Sequence, residues 1–165
     1  KMREDEIYIA TKKWFKSNHF EIIGGQPPNG SDNIPVIEIK DRFIKEKGSK
    51  GAYKPDLIAI NNNILVIIEC KPLDSKSDEK KLLDIINSEI KKKLFFDELI
   101  KRGIVERYKD IEYLNSYEIF KDKLRYCLSH NGTIRKMNYV SCLYIKNIDG
   151  EGEIFEPLNS NGLFK

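Results

Sequence analysis

The chain has little cysteine, and the three it has, Cys70, Cys127 and Cys142, are widely spaced with no Cys-x-x-Cys pair. An odd, scattered set excludes a disulfide framework and a structural zinc site, and it is the pattern expected of a protein from the reducing cytoplasm. No run of 18 or more apolar residues occurs, so no segment reads as a transmembrane helix and no membrane partner is expected. The opening Lys1-Met2-Arg3-Glu4-Asp5-Glu6 lacks the apolar segment of a secretory signal; a start on Lys1 suggests that some N-terminal part of the parent protein precedes it. A strong excess of one charge is also missing. The 29 basic and 26 acidic residues leave +3, which permits nucleic-acid binding without arguing for it. Histidine is scarce, and His19 and His130 are expected at surface or capping positions rather than in catalysis. Internal repeats, low-complexity tracts and linkers are absent.

What remains is 165 residues, 40% of them hydrophobic, enough for one domain with its own core. Residues 4–17 read as an amphipathic helix with Ile7, Ala10, Trp14 and Phe15 inward. Phe20 to Ile23 reads as a short strand stopped by Gly24-Gly25, residues 26–33 as a polar loop, and residues 35–40 as a second strand. Residues 41–50 are charged, with room for one or two helical turns. Leu57-Ile58-Ala59-Ile60 and Ile64-Leu65-Val66-Ile67-Ile68 flank Asn61-Asn62-Asn63 and form a β-hairpin whose second arm is apolar on both faces, as a central strand is. Ser75 to Ser77 can cap one long helix over about 78–101, closed by Gly103. A shorter helix is expected after Ser116, carrying Ile119, Phe120, Leu124 and Cys127 inward. Residues 137–146 alternate as a strand that turns at Asp149-Gly150 towards Glu153-Ile154-Phe155. This order predicts an α/β fold, a central mixed sheet flanked by helices.

The chemistry lies on the hairpin. If Ile60 faces Leu65 across the turn, counting back pairs Asp56 with Glu69; a register one residue tighter makes them diagonal neighbours. Either way the two Cβ atoms lie roughly 5 to 7 Å apart, and Lys71 shares the face of Glu69 by strand alternation. Two carboxylates so close repel unless a cation lies between them. A hard divalent ion such as Mg²⁺, for which Mn²⁺ is the expected substitute, suits oxygen ligands and keeps sites for water and a substrate phosphate. Such an ion polarises a phosphoryl oxygen, and a neighbouring lysine can orient the attacking water. Phosphodiester hydrolysis needs this set.

Pro55-Asp56, twelve intervening residues and Glu69-Cys70-Lys71 resemble the PD-(D/E)xK nuclease superfamily, and most closely its type II restriction endonucleases. The resemblance spans about residues 4–100 and implies a restriction-endonuclease-like core within a single nuclease domain, residues 1–165, with 104–165 completing the sheet or serving DNA and dimer contacts. It implies Asp56, Glu69 and the Cys70 carbonyl as metal ligands and Lys71 as the residue that positions the water. Many members add a glutamate from the first helix; Glu6 is the choice here, with Glu4 its competitor. The Gln-x-x-x-Tyr signature of the RecB-like branch does not follow Lys71. The implied partners are double-stranded DNA, a second copy of the chain if a symmetric site is cut on both strands, and a cognate methyltransferase within the same system.

Competing readings attach to the same residues. Glu69 and Lys71 could simply mark a strand leaving the core, and acidic residues in a first helical turn are favoured by the helix dipole whatever their function. A decoy, Glu38-Ile39-Lys40 with Asp32 upstream, also reads Glu-x-Lys, but its strand has no Asp-bearing partner and Pro35 suits an edge. Lys50 and Lys54, with Lys45 and Lys47, are candidates for phosphate contacts, whereas Lys91-Lys92-Lys93 reads as a solvated helix face. A structure-selective nuclease such as a Holliday-junction resolvase is the alternative enzyme, although the insertion over 25–53 departs from its compact pattern. A catalytically silent DNA-binding module on the same fold is the alternative from outside enzymology.

Overall fold

The computed structural model describes residues 1–28, 33–40 and 52–165. Its organising element is a six-stranded mixed sheet in the order β1-β4-β5-β6-β7-β8. The strands are β1 (Glu21–Gly25), β4 (Leu57–Ile60), β5 (Leu65–Cys70), β6 (Leu124–His130), β7 (Ser141–Ile145) and β8 (Gly152–Phe155). A separate antiparallel pair joins β2 (Ile39–Lys40) to β3 (Ala52–Tyr53). Within the main sheet β5-β6 and β6-β7 are parallel, and the remaining neighbours are antiparallel. Among the described residues no helix is long and apolar enough to cross a membrane.

Helices cover both faces of this sheet because its central strands are apolar on both. On one face α1 (Glu4–Ser17) packs Ile7, Ala10, Trp14 and Phe15 against Leu57, Ala59, Val66, Ile68 and Cys70. On the other, α2 (Lys76–Ile86), α3 (Glu89–Lys101) and α5 (Tyr117–Phe120) bring Leu82, Ile85, Phe95, Leu99 and Phe120 onto Ile58, Ile60, Leu65 and Ile67. The short α4 (Ile104–Arg107) follows Gly103, whose φ of 76° is the left-handed conformation that ends α3. Alternation along β4 and β5 thus divides one sequence pattern between two cores. The hairpin register is the looser of the two expected, Ile60 opposite Leu65 and Leu57 opposite Ile68, and the turn is fixed by the Asn61 side chain, which accepts from the amides of Asn63 and Ile64.

Four expectations are corrected. The single helix over 78–101 is two, because Asn87 ends α2 and the Ser88 hydroxyl caps α3 by accepting from the Lys91 amide at 3.1 Å. The helix after Ser116 stops at Phe120; Leu124 and Cys127 belong to β6, which pairs in parallel with β5 along its length. Gly24 and Gly25 do not stop β1 but are its last two residues. They admit a close approach there, since a Cβ on Gly24 would lie 2.9 Å from Ile37 and one on Gly25 2.8 Å from both Ile34 and Tyr8. The strand expected over 35–40 is confined to Ile39–Lys40.

Candidate active site

Asp56 and Glu69 meet where β4 begins and β5 ends. Continuing the register by one residue sets them opposite each other, and each carboxylate is held by the other strand's backbone. The amide of Asp56 donates to Glu69 Oε2 at 2.9 Å, and the amide of Cys70 donates to Asp56 Oδ2 at 2.8 Å. Glu69 is 2% exposed. Pro55 is buried just before this bridge and has a fixed φ, which stiffens the entry to β4. Lys71 follows the strand, its amide donating to Ser129 O of β6 at 3.0 Å. The site thus lies at the carboxyl ends of the parallel pair β5 and β6, the edge where open α/β sheets place their ligands.

The electrostatics follow from burial. Desolvation raises the pKa of both carboxyls, and the mutual repulsion of Asp56 and Glu69 raises Glu69 further, against the backbone hydrogen bonds that lower each. Lys71 is held in its charged form, with its pKa raised first by its hydrogen bond to Glu4: Nζ donates to Glu4 Oε1 at 2.8 Å. The site is therefore a pair of reluctant anions beside a committed cation.

Of the two glutamates of the first helix, Glu4 is the one whose carboxylate reaches Lys71. Glu6 is occupied at the helix start, where its Oε1 accepts from the Arg3 amide at 3.0 Å as half of a capping box. Cys70 points its side chain into the core beneath α1, so only its backbone belongs to the site. Lys54 is half-buried between Tyr53 and Pro55, whereas Lys45, Lys47, Lys50 and Asp32 lie outside the described residues. Glu38 and Lys40 of the decoy line a cleft with Leu94, Asp97 and Lys101 of α3, away from the hairpin pair. His19 is exposed one residue beyond Asn18, the C-cap of α1, with φ 68°, whereas His130, expected at a surface or capping position, is wholly buried. Its Nδ1 accepts from the Gly132 amide at 3.0 Å and its Nε2 lies 3.4 Å from Cys142 Sγ. All three cysteines are free.

Three residues that the sequence did not single out belong to this neighbourhood. Asp78 of α2 is 1% exposed, with Oδ1 3.1 Å from Lys81 Nζ. Lys81 Nζ also lies 3.9 Å from Glu69 Oε1. Tyr53 lies close enough to Glu69 for the carboxylate to raise the phenol's pKa, after burial, and its hydroxyl has no hydrogen-bond partner of good geometry among the described residues. Asp78 was hidden because it occupies the first turn of a capped helix, where an acidic residue has a local explanation.

The donor set suits a hard cation. Each backbone bond uses one oxygen of a carboxylate, which leaves Asp56 Oδ1 and Glu69 Oε1 as the oxygens a cation would take. Among the described residues no three His, Cys, Asp or Glu side chains are grouped as a ready metal cage. Two carboxylates, with water and a phosphate completing the shell, is the protein share that Mg²⁺ commonly accepts. No family model, curated protein or solved structure matches the chain significantly.

Proposed function

We propose that the chain is a Mg²⁺-dependent endonuclease that hydrolyses DNA phosphodiester bonds, of the restriction type, and that its mixed sheet is the core of a PD-(D/E)xK nuclease. The observation that carries this reading is the reciprocal backbone bridge between Asp56 and Glu69, with Lys71 charged beside it. A buried acidic pair held together this firmly is unfavourable by itself and favourable around a divalent ion.

In this mechanism Asp56 and Glu69 would hold the ion, and the Cys70 carbonyl is the third oxygen that the sequence resemblance supplies. When bound, the ion supplies Lewis-acid stabilisation of the charge that develops on the phosphoryl oxygens. Lys71 orients the attacking water by donating a hydrogen bond to it, and its ammonium offsets charge on the phosphorane-like transition state. Glu4 holds that ammonium in place through the 2.8 Å hydrogen bond. The Asp56 and Cys70 amides each hold one oxygen of this pair, so Glu69 Oε1 and Asp56 Oδ1 are the oxygens that would face the ion. Hydrolysis leaves a 5′-phosphate and a 3′-hydroxyl by the same resemblance. DNA as substrate, a homodimer and a partner methyltransferase are parts of the proposal.

The test offers supercoiled plasmid and a synthetic four-way junction to the wild-type protein in Mg²⁺, beside Asp56→Ala and Lys71→Ala variants whose folding is verified. Discrete plasmid fragments, lost in both variants, support the restriction reading. Junction-only cutting favours a resolvase. DNA binding without cleavage in Mg²⁺ or Mn²⁺ makes the chain a silent module and ends the enzymatic proposal.

A further inference from the structure

We propose that Lys81 is a second substrate-phosphate contact of this site and that Asp78 is the residue that positions it, an assignment that rests on the nuclease reading. Asp56 and Glu69 share the sheet parity of Ile58, Ile60, Leu65 and Ile67, so their side chains belong to the α2 face of the sheet rather than the α1 face. Lys81 is the cation that this face supplies. Its side chain is 52% exposed, while its Nζ lies 3.1 Å from Asp78 Oδ1 and 3.9 Å from Glu69 Oε1. It also lines an open cleft with Ile39, Tyr53, Asp84 and Lys91. The ammonium therefore sits at the mouth of the site, reachable from solvent and from the carboxylates alike.

The helix dipole favours an acidic residue at position 78, but ordinary helix chemistry does not account for its enclosure. An i,i+3 ion pair at a surface contributes little and needs neither partner buried. Capping of α2 is done by the Ser75 hydroxyl, which accepts from the Asp78 amide at 3.2 Å and makes no demand on the carboxylate. Yet that carboxylate is enclosed, and its Oδ2 has no hydrogen-bond partner among the described residues. An enclosed anion with one spare oxygen, adjoining the Tyr53 hydroxyl and Glu69, marks a polar site that something else completes. A phosphate arriving at Glu69 would meet the Lys81 ammonium first, with Asp78 keeping the side chain from swinging away.

Lys71 and Lys81 would then bracket the reacting phosphate from two elements, each restrained by its own carboxylate, Glu4 from α1 and Asp78 from α2. No covalent step is added. Lys81 donates hydrogen bonds to phosphate oxygens, as a point charge does.

The experiment uses the whole chain. Binding to a short fluorescent duplex is followed by anisotropy in EDTA across a KCl series, and cleavage is followed separately in Mg²⁺, for the wild type, Lys81→Met, Lys81→Arg and Asp78→Asn. Lys81→Met should reduce the slope of log affinity against log salt by about one and slow cleavage at saturating DNA by about tenfold or more. Lys81→Arg should restore the slope, and Asp78→Asn should keep the slope while slowing cleavage. Folding of each variant is verified by thermal melting, and the arginine variant keeps the test valid if methionine unfolds the site. A wild type that cuts, with Lys81→Met matching it in slope and rate, overturns the Lys81 assignment alone. A wild type that neither binds nor cuts overturns the nuclease reading and this assignment together.

Discussion

Asp56 and Glu69 are bonded crosswise: the Asp56 amide holds Glu69 Oε2 at 2.9 Å, and Asp56 Oδ2 holds the amide that follows Glu69 at 2.8 Å. Strand geometry alone would bring the two residues near each other. The crosswise bonds also fix which oxygens face outward, and they do so in a buried setting where each charge is disfavoured. Several consequences can be measured.

The first concerns pH. Burial pushes Asp56 up to about 6 and Glu69 to about 8, both above their values in an unfolded chain. Raised carboxyl values mean that the folded state holds more protons, so their contribution to stability is complete below the unfolded values and is lost as pH rises through the folded ones. Without divalent ions the melting temperature should fall between pH 5 and pH 9, and Glu69→Gln should flatten that fall. Differential scanning fluorimetry across the series reads both. A Glu69→Gln variant that follows the wild-type curve would show that the pair does not control it.

Neutralising the pair should separate stability from activity. Asp56→Asn and Glu69→Gln remove buried charge, so each should melt above the wild type at pH 8 in EDTA while cleavage in Mg²⁺ falls by about a hundredfold or more. Loss of both stability and activity would instead assign the carboxylates a structural role.

The two glutamates of the first helix should behave differently. Glu4→Gln loosens Lys71 and should slow cleavage by about tenfold with little change in melting. Glu6→Ala removes the acceptor of the Arg3 amide and should cost roughly 0.5–1 kcal/mol of stability while leaving the rate near wild type. Steady-state kinetics beside urea denaturation tests the pair, and equal kinetic defects would count against the assignment of Glu4.

A buried hydroxyl pair tests the placement of β6. Thr11 Oγ1 donates to Ile7 O at 2.6 Å, so its 2.7 Å contact with Ser129 Oγ must be donated by the serine. Thr11→Val leaves that serine without its acceptor and should cost about 1–3 kcal/mol. Thr11→Val with Ser129→Ala should recover part of this, and simple additivity in urea melts would show that the hydroxyls do not interact.

How much of this was legible in the sequence depends on the range of the interactions. The hairpin was readable because Asn61 closes a local turn and alternation then fixes the partner of Asp56. The first helix matched its expected bounds, Glu4–Ser17, because its apolar positions recur at helical spacing. β6 was not readable. Its residues are nearly all buried but include Arg125, Ser129 and His130, while Phe120, Leu124 and Cys127 also fit helical spacing, and its partners β5 and β7 are set by parallel pairing across long stretches of chain. The break at Asn87-Ser88 was present as a cap signal inside an apolar periodicity that runs through it. Within the site, Asp56, Glu69 and Lys71 came from one hairpin, whereas Asp78, Lys81 and Tyr53 join it only through tertiary packing. Glu6 against Glu4 was undecidable from spacing, because the choice rests on which carboxylate the Arg3 amide captures.

The most direct measurement is a titration of Mn²⁺ into the protein, followed by the loss of the free-ion electron paramagnetic resonance signal. The wild type should bind one Mn²⁺, displaced by excess Mg²⁺, and Asp56→Asn and Glu69→Gln should bind none at comparable concentrations. Undiminished binding in both variants, or none by the wild type, would contradict a metal site held by this pair.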